Sequence, residues 1–280
     1  MNNKLSVLKN LIWALGILVC MAAVVVGLFI SAANRYPGEQ DTGRLAMDRP
    51  VKVDKPSGQT EMLNTPDLMT GNGQLNVLNE TMDGGQAYID MLTFLCDSSL
   101  IGLRDYGVLS GGIMTEQVWG TSAGNFPAPN IANGLIKYPA DSSDLSPAAA
   151  AGLKKPEILV IALGMDSLDQ TDEQSFIANY TKLVRDIHTA SPDTTIVLCS
   201  LTSVTPSYTG TDNMTSGAAL KASEWVQQVC ITTGAKYADI ADAVTESTGS
   251  LLNEYASSNG KTLNTAGVNK VLEYLRMHIV

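Results

Sequence analysis

Continuous apolar runs recur along the C-terminal two-thirds of the chain and constrain its fold more than any other feature. They lie at residues 89–95, 158–163, 195–201 and 236–240. Runs of this kind are typical of strands buried on both faces, as in parallel sheets. Residues 171–190, 214–233 and 264–278 instead carry apolar side chains at helical spacing. The alternation of strand and helix predicts an α/β fold with a mostly parallel sheet covered by helices on both faces.

Two local signals refine this prediction. Thr171 and Gln174 have the spacing of a capping box, which predicts the start of the helix over residues 171–190. Weaker strand signals around residues 117–119 and 135–138 predict a small β-hairpin beside the rim of a binding crevice.

The N-terminal 33 residues predict one transmembrane helix. Residues 11–33 are uncharged and mostly apolar, and they are preceded by Lys4 and Lys9. A helix needs about 20 apolar residues to cross a bilayer, and flanking lysines favour the cytoplasmic side. We therefore expect an anchor over residues 1–33, with the rest of the chain outside the cytoplasm. The small residues Ser31, Ala32 and Ala33 leave a cleaved secretory signal, and hence a secreted protein, as the alternative.

Residues 34–86 predict a flexible stalk. They are rich in Gly, Pro, Asn, Asp and Thr and show no sustained period of 2 or 3.6. Such a composition buries too little apolar surface to offset the entropy of ordering. The stalk would space a folded domain, residues 87–280, from the membrane, and its last part is free to dock on that domain.

Charge excludes one class of partner. Beyond residue 33 the chain has 16 basic and 28 acidic residues, a net charge of −12, because Lys4 and Lys9 fall in the anchor. A negative field repels phosphate backbones, so we expect no nucleic-acid partner. The membrane, through the N-terminal helix, is the predicted partner.

The cysteines indicate neither a metal site nor a cofactor. Cys96, Cys199 and Cys230 are odd in number and lack metal-ligand spacing. We interpret them as buried structural thiols.

A candidate nucleophile follows the first apolar run, in the sequence Cys96-Asp97-Ser98. A side chain at the carboxyl end of a parallel strand projects into the crevice where open α/β sheets bind ligands. A helix that follows there would offer its N-terminal amides to an anion, which suits acyl chemistry. The competing interpretation is that Ser98 only caps that helix.

Three motifs in order resemble the SGNH/GDSL hydrolases over about residues 88–280. They are residues 94–98 (FLCDS), 163–166 (LGMD) and 259–264 (NGKTLN), the last directly before the terminal helix. The resemblance implies a flavodoxin-like three-layer α/β/α sandwich and a serine ester hydrolase ancestry. It also implies a serine nucleophile, an oxyanion hole and a C-terminal Asp-x-x-His.

The family's oxyanion residues carry over unevenly. Ser98 takes the nucleophile position and follows Asp97, as in the family motif. For the oxyanion glycine we favour Gly124, with Gly112 as the alternative. Gly164 and Asp166 fall on the family's Gly-x-Asn, with aspartate replacing asparagine.

The Gly-x-Asn replacement matters because an asparagine amide donates to a developing oxyanion, whereas an ionised aspartate repels it. The larger departure is in the last motif, where Asn259 and Thr262 replace the family's Asp and His. A serine hydroxyl needs a base, and neither residue is one near neutral pH. The chain's two histidines, His188 and His278, lie in the last turns of predicted helices, where a cation suits the helix dipole.

Three functions remain open from the sequence. The first is a membrane-tethered, extracytoplasmic hydrolase-like protein that binds an ester or glycan ligand but is catalytically impaired. The second is an active acyl or acetyl esterase acting on envelope components or polysaccharides, with an unorthodox base such as Asp166. The third is a structural or partner-binding envelope protein.

Overall fold

The computed structural model describes residue 71 and residues 73–280. Its strands are β1 (Asn76–Val77), β2 (Leu92–Cys96), β3 (Val118–Trp119), β4 (Ile136–Lys137), β5 (Asp144–Leu145), β6 (Ile158–Ala162), β7 (Thr195–Cys199) and β8 (Lys236–Ala238). Its α-helices are α1 (Gly85–Met91), α2 (Gly102–Asp105), α3 (Pro147–Lys154), α4 (Glu173–Ala190), α5 (Ser216–Thr233) and α6 (Thr265–Arg276).

Within this part of the chain, six strands form one sheet in the order β1-β8-β7-β6-β2-β3, and every neighbouring pair is parallel. Without the edge strand β1, the strands numbered along the chain run 2-1-3-4-5 across the sheet, the order of flavodoxin-like folds. The order reverses between β2 and β6, and such folds bind ligands at the carboxyl ends of the strands at that point. The predicted mostly parallel sheet is confirmed.

Helices cover both faces of the sheet, each over its own apolar core. Phe176 of α4 and Val226 of α5 share one buried cluster with the sheet residue Leu159. Leu272 of α6 shares the other cluster with Val160. Because successive strand residues point to opposite faces, β6 contributes to both cores, and its continuous apolar sequence is required. The molecule is therefore an α/β sandwich, as predicted.

The first apolar run is only partly a strand, which corrects the prediction over residues 89–95. Residues 89–91 end helix α1, whose buried face includes Tyr88 and Ile89, and the strand begins at Leu92. A short apolar run fits a buried helix as well as a buried strand, so its composition does not decide between them. In addition, β1 lies within the segment predicted as a stalk, and its pairing with β8 shows that the sheet begins before residue 87.

Two smaller predictions also differ from the structure. Residues 118–119 pair with β2 in the main sheet, and β4 pairs antiparallel with β5. Instead of a regular hairpin, the two predicted segments share one antiparallel bridge, in which the Lys137 N–H donates to the Gly120 carbonyl at 2.9 Å. Helix α4 is capped by Asp172, not Thr171, and the Asp172 carboxylate accepts the Ser175 N–H at 2.9 Å. Aspartate is a strong N-cap, and its charge also suits the positive end of the helix dipole.

The predicted membrane segment, residues 11–33, lies outside the described residues. Among the helices that are described, none is both long and apolar enough to cross a bilayer.

Candidate active site

Ser98 lies at the point where the strand order reverses. It follows the end of β2, and Asp166 follows the end of the neighbouring strand β6. The Ser98 hydroxyl donates a hydrogen bond of 2.5 Å to Asp166 Oδ1. Ser98 is not a helix cap, because α2 begins only at Gly102 and its N-cap position, Ile101, makes no side-chain cap bond. The serine hydroxyl is instead directed to a carboxylate across the crevice.

The Asp166 carboxylate accepts hydrogen bonds from two main-chain amides. Its Oδ2 atom accepts the N–H of Ser98 at 3.1 Å and the N–H of Phe126 at 2.8 Å. The Asp166 side chain is buried, and its main-chain carbonyl also accepts the Ala128 N–H at 2.7 Å. Two amides that converge beside a serine hydroxyl are the donors that an acyl-transfer oxyanion requires. Here an internal carboxylate takes the place of that oxyanion.

The second amide belongs to Phe126, not to either predicted glycine. Gly124 lines the cleft beside Ser98, but its N–H donates to Thr121 O at 3.1 Å. The N–H of Gly112 donates to Leu109 O at 2.9 Å. Every residue except proline has a main-chain N–H, so the residue type does not identify the donor. The sequence could therefore only place this donor near Gly124.

Asp97 is a buried brace between the two strand ends. Its Oδ1 atom accepts the N–H and the hydroxyl of Ser99 at 3.0 and 2.6 Å, and its Oδ2 atom accepts the N–H groups of Gly164 and Met165, both at 2.8 Å. Burial and the negative charge of Asp166 raise the pKa of Asp97 to about 6, against the lowering effect of its hydrogen bonds. Asp97 therefore positions the loops that carry Ser98 and Asp166.

Gly164 adopts a backbone conformation that lets its N–H donate to Asp97. Its φ of +127° lies in a region that other residues rarely adopt, and a Cβ there would lie 3.1 Å from the ring of Phe176. We assign Gly164 a conformational role, since its N–H donates to Asp97 and not toward the cleft.

Asn259 and Thr262 of the last motif form a hydrogen-bonded pair. Asn259 Nδ2 donates to Thr262 Oγ1 at 3.1 Å, and Asn259 Oδ1 accepts the N–H groups of Lys261 and Thr262 at 2.9 and 3.0 Å. Thr262 lines the same cleft as Ser98. Asn259 and Thr262 are thus hydrogen-bonded to each other beside the cleft that Thr262 lines, but neither side chain can accept the serine proton.

A buried lysine, which the sequence analysis did not single out, lies behind the site. Lys261 Nζ donates to Asp212 Oδ2 at 2.5 Å and lies 3.8 Å from Asp166 Oδ1. Tyr208 donates its hydroxyl to Asp212 Oδ1 at 2.7 Å. Burial raises the pKa of Asp212, but the hydrogen bonds from Lys261 and Tyr208 outweigh it and hold that pKa below its ordinary value. A carboxylate paired with Lys261 was not visible in the sequence because the two residues are 49 positions apart.

The cleft over Ser98 has a volume of about 300 Å³. Its lining includes Ser98, Arg104, Tyr106, Ser122, Gly124 and Thr262. Neither His188 nor His278 is among the described residues that line it, and His278 Nδ1 is 2.8 Å from the Tyr274 carbonyl oxygen, at the end of α6. The cleft is therefore mainly polar, is open to a small ligand and lacks an imidazole.

The three cysteines beyond the predicted anchor are buried free thiols, which confirms their structural interpretation. Burial raises the pKa of Cys96, Cys199 and Cys230. A raised thiol pKa leaves little thiolate, so these side chains are poor nucleophiles.

Comparison with known proteins identifies the family of this chain. The model of the GDSL-like lipase/acylhydrolase family matches residues 123–267, a little over half of the chain. The match includes Asp166, Asn259 and Thr262 and begins after Ser98. No curated protein sequence matches the chain.

Solved structures that are similar to this chain include three from different organisms. A proposed platelet activating factor from Streptococcus pneumonia has 15% identity over 66% of this chain and 81% of its own, with a TM-score of 0.49. A proposed lipolytic protein of the G-D-S-L family from Desulfitobacterium hafniense DCB-2 has 16% identity over 67% and 98%, with a TM-score of 0.47. A carbohydrate esterase family 3 protein from Talaromyces cellulolyticus has 16% identity over 65% and 92%, with a TM-score of 0.42. At these scores the similarities carry no argument about function.

Proposed function

Because the chain belongs to the GDSL-like lipase/acylhydrolase family, we propose that it is a membrane-tethered, extracytoplasmic hydrolase-like protein that binds a small ester or glycan ligand without turning over ordinary esters. The observation that carries this proposal is the Asp166 carboxylate on the Ser98 and Phe126 amides. An ester carbonyl needs those amides as its oxygen becomes negative in the transition state.

Three features of this arrangement oppose catalysis. Losing one oxyanion donor typically costs about 10²–10³ in rate, and here both amides are already engaged by a carboxylate. A fixed negative charge at that point also repels the developing oxyanion. In addition, Thr262 offers no base at the place where the family has histidine, so the Ser98 hydroxyl remains a weak nucleophile.

A second candidate function is active ester hydrolysis with Asp166 as the general base. The 2.5 Å hydrogen bond from Ser98 Oγ to Asp166 Oδ1 favours it, because a base must lie within hydrogen-bond reach of the proton it accepts. In that mechanism the Ser98 proton passes to Asp166 as the Ser98 oxygen attacks the ester carbonyl, and Asp166 returns it to the leaving alkoxide, which leaves an acylated Ser98. Asp166 then takes a proton from the water that attacks this acyl group and returns it to Ser98 Oγ as the carboxylic acid is released.

A purely structural role is less well supported, because a vestigial site need not keep an open cleft. The cleft of about 300 Å³ over Ser98 instead supports ligand binding. Its volume falls at the lower end of the range for small-molecule pockets, about 300–1,000 Å³.

We expect the wild-type protein to hydrolyse p-nitrophenyl acetate more slowly than about 1 s⁻¹, the lower end of the usual range of enzyme turnover. Ser98→Ala should leave this slow rate unchanged, because Ser98 contributes little to it. Steady-state release of p-nitrophenol from both purified proteins checks the prediction. Faster turnover that disappears in Ser98→Ala would replace this proposal with the active esterase.

The membrane topology is a separate part of the proposal. Lys4 and Lys9 favour a cytoplasmic N-terminus, which would put the α/β domain on the other side of the membrane. We expect protease added to intact cells or spheroplasts to cleave the chain beyond residue 33. Tagging each end separately identifies the fragment that is lost, and full protection of the C-terminal tag would contradict the arrangement.

A further inference from the structure

Tyr106 is an aromatic residue at the cleft over Ser98 whose ring is left partly uncovered. It is 43% exposed, and it lines the cleft together with Ser98 and Thr262. A tyrosine ring is a large apolar body with a polar tip. Covering such a ring with a ligand removes apolar surface from water, which favours binding.

The Tyr106 ring is held in a fixed orientation. Its hydroxyl donates to the Leu263 carbonyl at 3.2 Å, and the Leu263 N–H donates to the Ser99 carbonyl at 3.3 Å. A Cβ at Gly102 would lie 2.6 Å from Tyr106 Cε2, so only glycine lets the ring pack this closely against the chain. Through Leu263, the ring is therefore tied to the loop that carries Ser98, and a ligand that binds on it is held beside the serine.

A charged pair on the same helix also lines the cleft. Arg104 Nη2 lies 2.8 Å from Asp105 Oδ1, and the two side chains are 29% and 50% exposed. A guanidinium has five N–H donors and a carboxylate has two acceptor oxygens, so the pair retains donors and acceptors for the hydroxyl groups of a ligand. Because the two charges balance each other, this part of the cleft does not favour an ionic ligand.

The rest of the lining does not suit a long acyl chain. Among the described residues that line the cleft, the aliphatic ones are Ile101, Ala123 and Leu263. A fatty acyl chain needs a continuous apolar surface along its length, which three such residues do not provide. A sugar ring fits better, because its hydroxyl groups both donate and accept hydrogen bonds while its C–H face is apolar and packs on an aromatic ring.

We propose that the cleft over Ser98 binds an uncharged sugar ring, with the Tyr106 ring against its C–H face and with Arg104 and Asp105 on its hydroxyl groups. This inference rests on the proposed function and names its ligand class, a glycan and not a fatty ester. Tyr106 is then a residue that determines specificity.

The test is the binding of three uncharged disaccharides, cellobiose, xylobiose and N,N′-diacetylchitobiose, to the full chain, followed by NMR. Octanamide, which has an acyl chain and no sugar, and digalacturonate, which carries carboxylates, are titrated in parallel. The detergent must have no sugar headgroup, because residues 11–33 are proposed to span the membrane and such a headgroup would compete. We expect at least one disaccharide to bind with a Kd of about 1 mM or lower. Its C–H protons should shift upfield, because they lie over an aromatic ring.

Tyr106→Ala should weaken binding of that disaccharide by about 10-fold or more and abolish the upfield shift. Tyr106→Phe loses the hydrogen bond to Leu263 but keeps the ring, so it should retain both. Leu153→Ala is the matched control and should bind as the wild type does, because Leu153 is 67% exposed and does not line the cleft.

A second measurement decides the role of Tyr106 even if Tyr106→Ala does not fold. In a chain that is protonated only at its tyrosine rings, the sugar C–H protons should show a nuclear Overhauser effect from a ring. That effect should disappear in Tyr106→Phe, whose new ring is deuterated, although the sugar still binds. An effect that persists there, or equal affinities of the wild type and Tyr106→Ala, would overturn the role of Tyr106.

Three other results would overturn the sugar site itself. They are no binding by any of the disaccharides, tighter binding of octanamide than of all three, and tighter binding of digalacturonate that Arg104→Gln abolishes. The second result would assign the cleft to an acyl chain and the third to an anion. None of them changes the expected slow hydrolysis of p-nitrophenyl acetate, which is measured separately. Conversely, rapid hydrolysis of that ester would overturn the proposed function, while the disaccharides, which carry no ester, would still decide whether the cleft binds a sugar.

Discussion

The triple substitution Asp166→Asn, Asn259→Asp and Thr262→His should raise hydrolysis of p-nitrophenyl acetate by at least about 10²-fold over the wild type. The asparagine removes the carboxylate charge from the Ser98 and Phe126 amides and adds a donor. The new histidine supplies a base in the cleft, and the new aspartate orients it. The local geometry is already suitable, because Asn259 and Thr262 are hydrogen-bonded at 3.1 Å and Thr262 lines the cleft of Ser98.

The rate increase should exceed the product of the single-variant effects, because members of a catalytic unit are strongly non-additive. Ser98→Ala added to the triple variant should abolish the gain, which separates serine catalysis from general base hydrolysis by the new imidazole. The single variant Asp166→Asn distinguishes the two candidate functions. It should raise the slow wild-type rate if Asp166 blocks the amides, and abolish turnover if Asp166 is the base.

Much of the fold could be predicted because its core strands are buried on both faces. Residues 158–162 and 195–199 are recognisable as strands since every position in them is apolar or β-branched. Strands β1 and β3 have only two residues each, too few to show a period, and their assignment depends on neighbours distant in the sequence. Helix α1 was mistaken for a strand for a related reason, since its apolar residues run directly into those of β2.

The candidate site, too, could be predicted only in part from the sequence. Ser98 and Asp166 could be brought together from sequence because the carboxyl ends of parallel strands meet at one edge of a sheet. The amide of Phe126 could not be identified, because any residue supplies the same main-chain N–H. Lys261 and Asp212 could not be paired either, since the loops that bring them together are positioned only by tertiary packing.

The strongest structural dependence in the site should be on Asp97. We expect Asp97→Ala to lower the free energy of unfolding at neutral pH by about 3–5 kcal/mol, because it leaves several buried donors without an acceptor. The substitution leaves the N–H groups of Ser99, Gly164 and Met165 without their partner in a buried place. Each such group costs about 1–3 kcal/mol, and relief of the repulsion between Asp97 and Asp166 offsets part of the loss. Chemical denaturation followed by tryptophan fluorescence measures the resulting change in the free energy of unfolding.

Asp172→Ala is the matched control, because Asp172 also accepts both the N–H and the hydroxyl of a nearby serine, Ser175, but is exposed. Its loss should destabilise the protein much less than that of Asp97, as expected for an exposed N-cap. The two variants should also respond to pH in opposite ways. The folded pKa of Asp97, about 6, lies above its ordinary value of 3.8, so its stabilising contribution is full below about pH 4 and is lost as the pH rises through 6.

The loss caused by Asp97→Ala should therefore be larger at pH 5 than at pH 7, by about 1 kcal/mol. The hydrogen bonds from Ser175 lower the pKa of Asp172, so the loss caused by Asp172→Ala should shrink only as the pH falls below the unfolded value. A loss at Asp97 that shrinks between pH 7 and pH 5 would mean that its hydrogen bonds outweigh its burial and the charge of Asp166. The charge of Asp166 would then contribute little to the pKa of Asp97, and the two carboxylates would act independently.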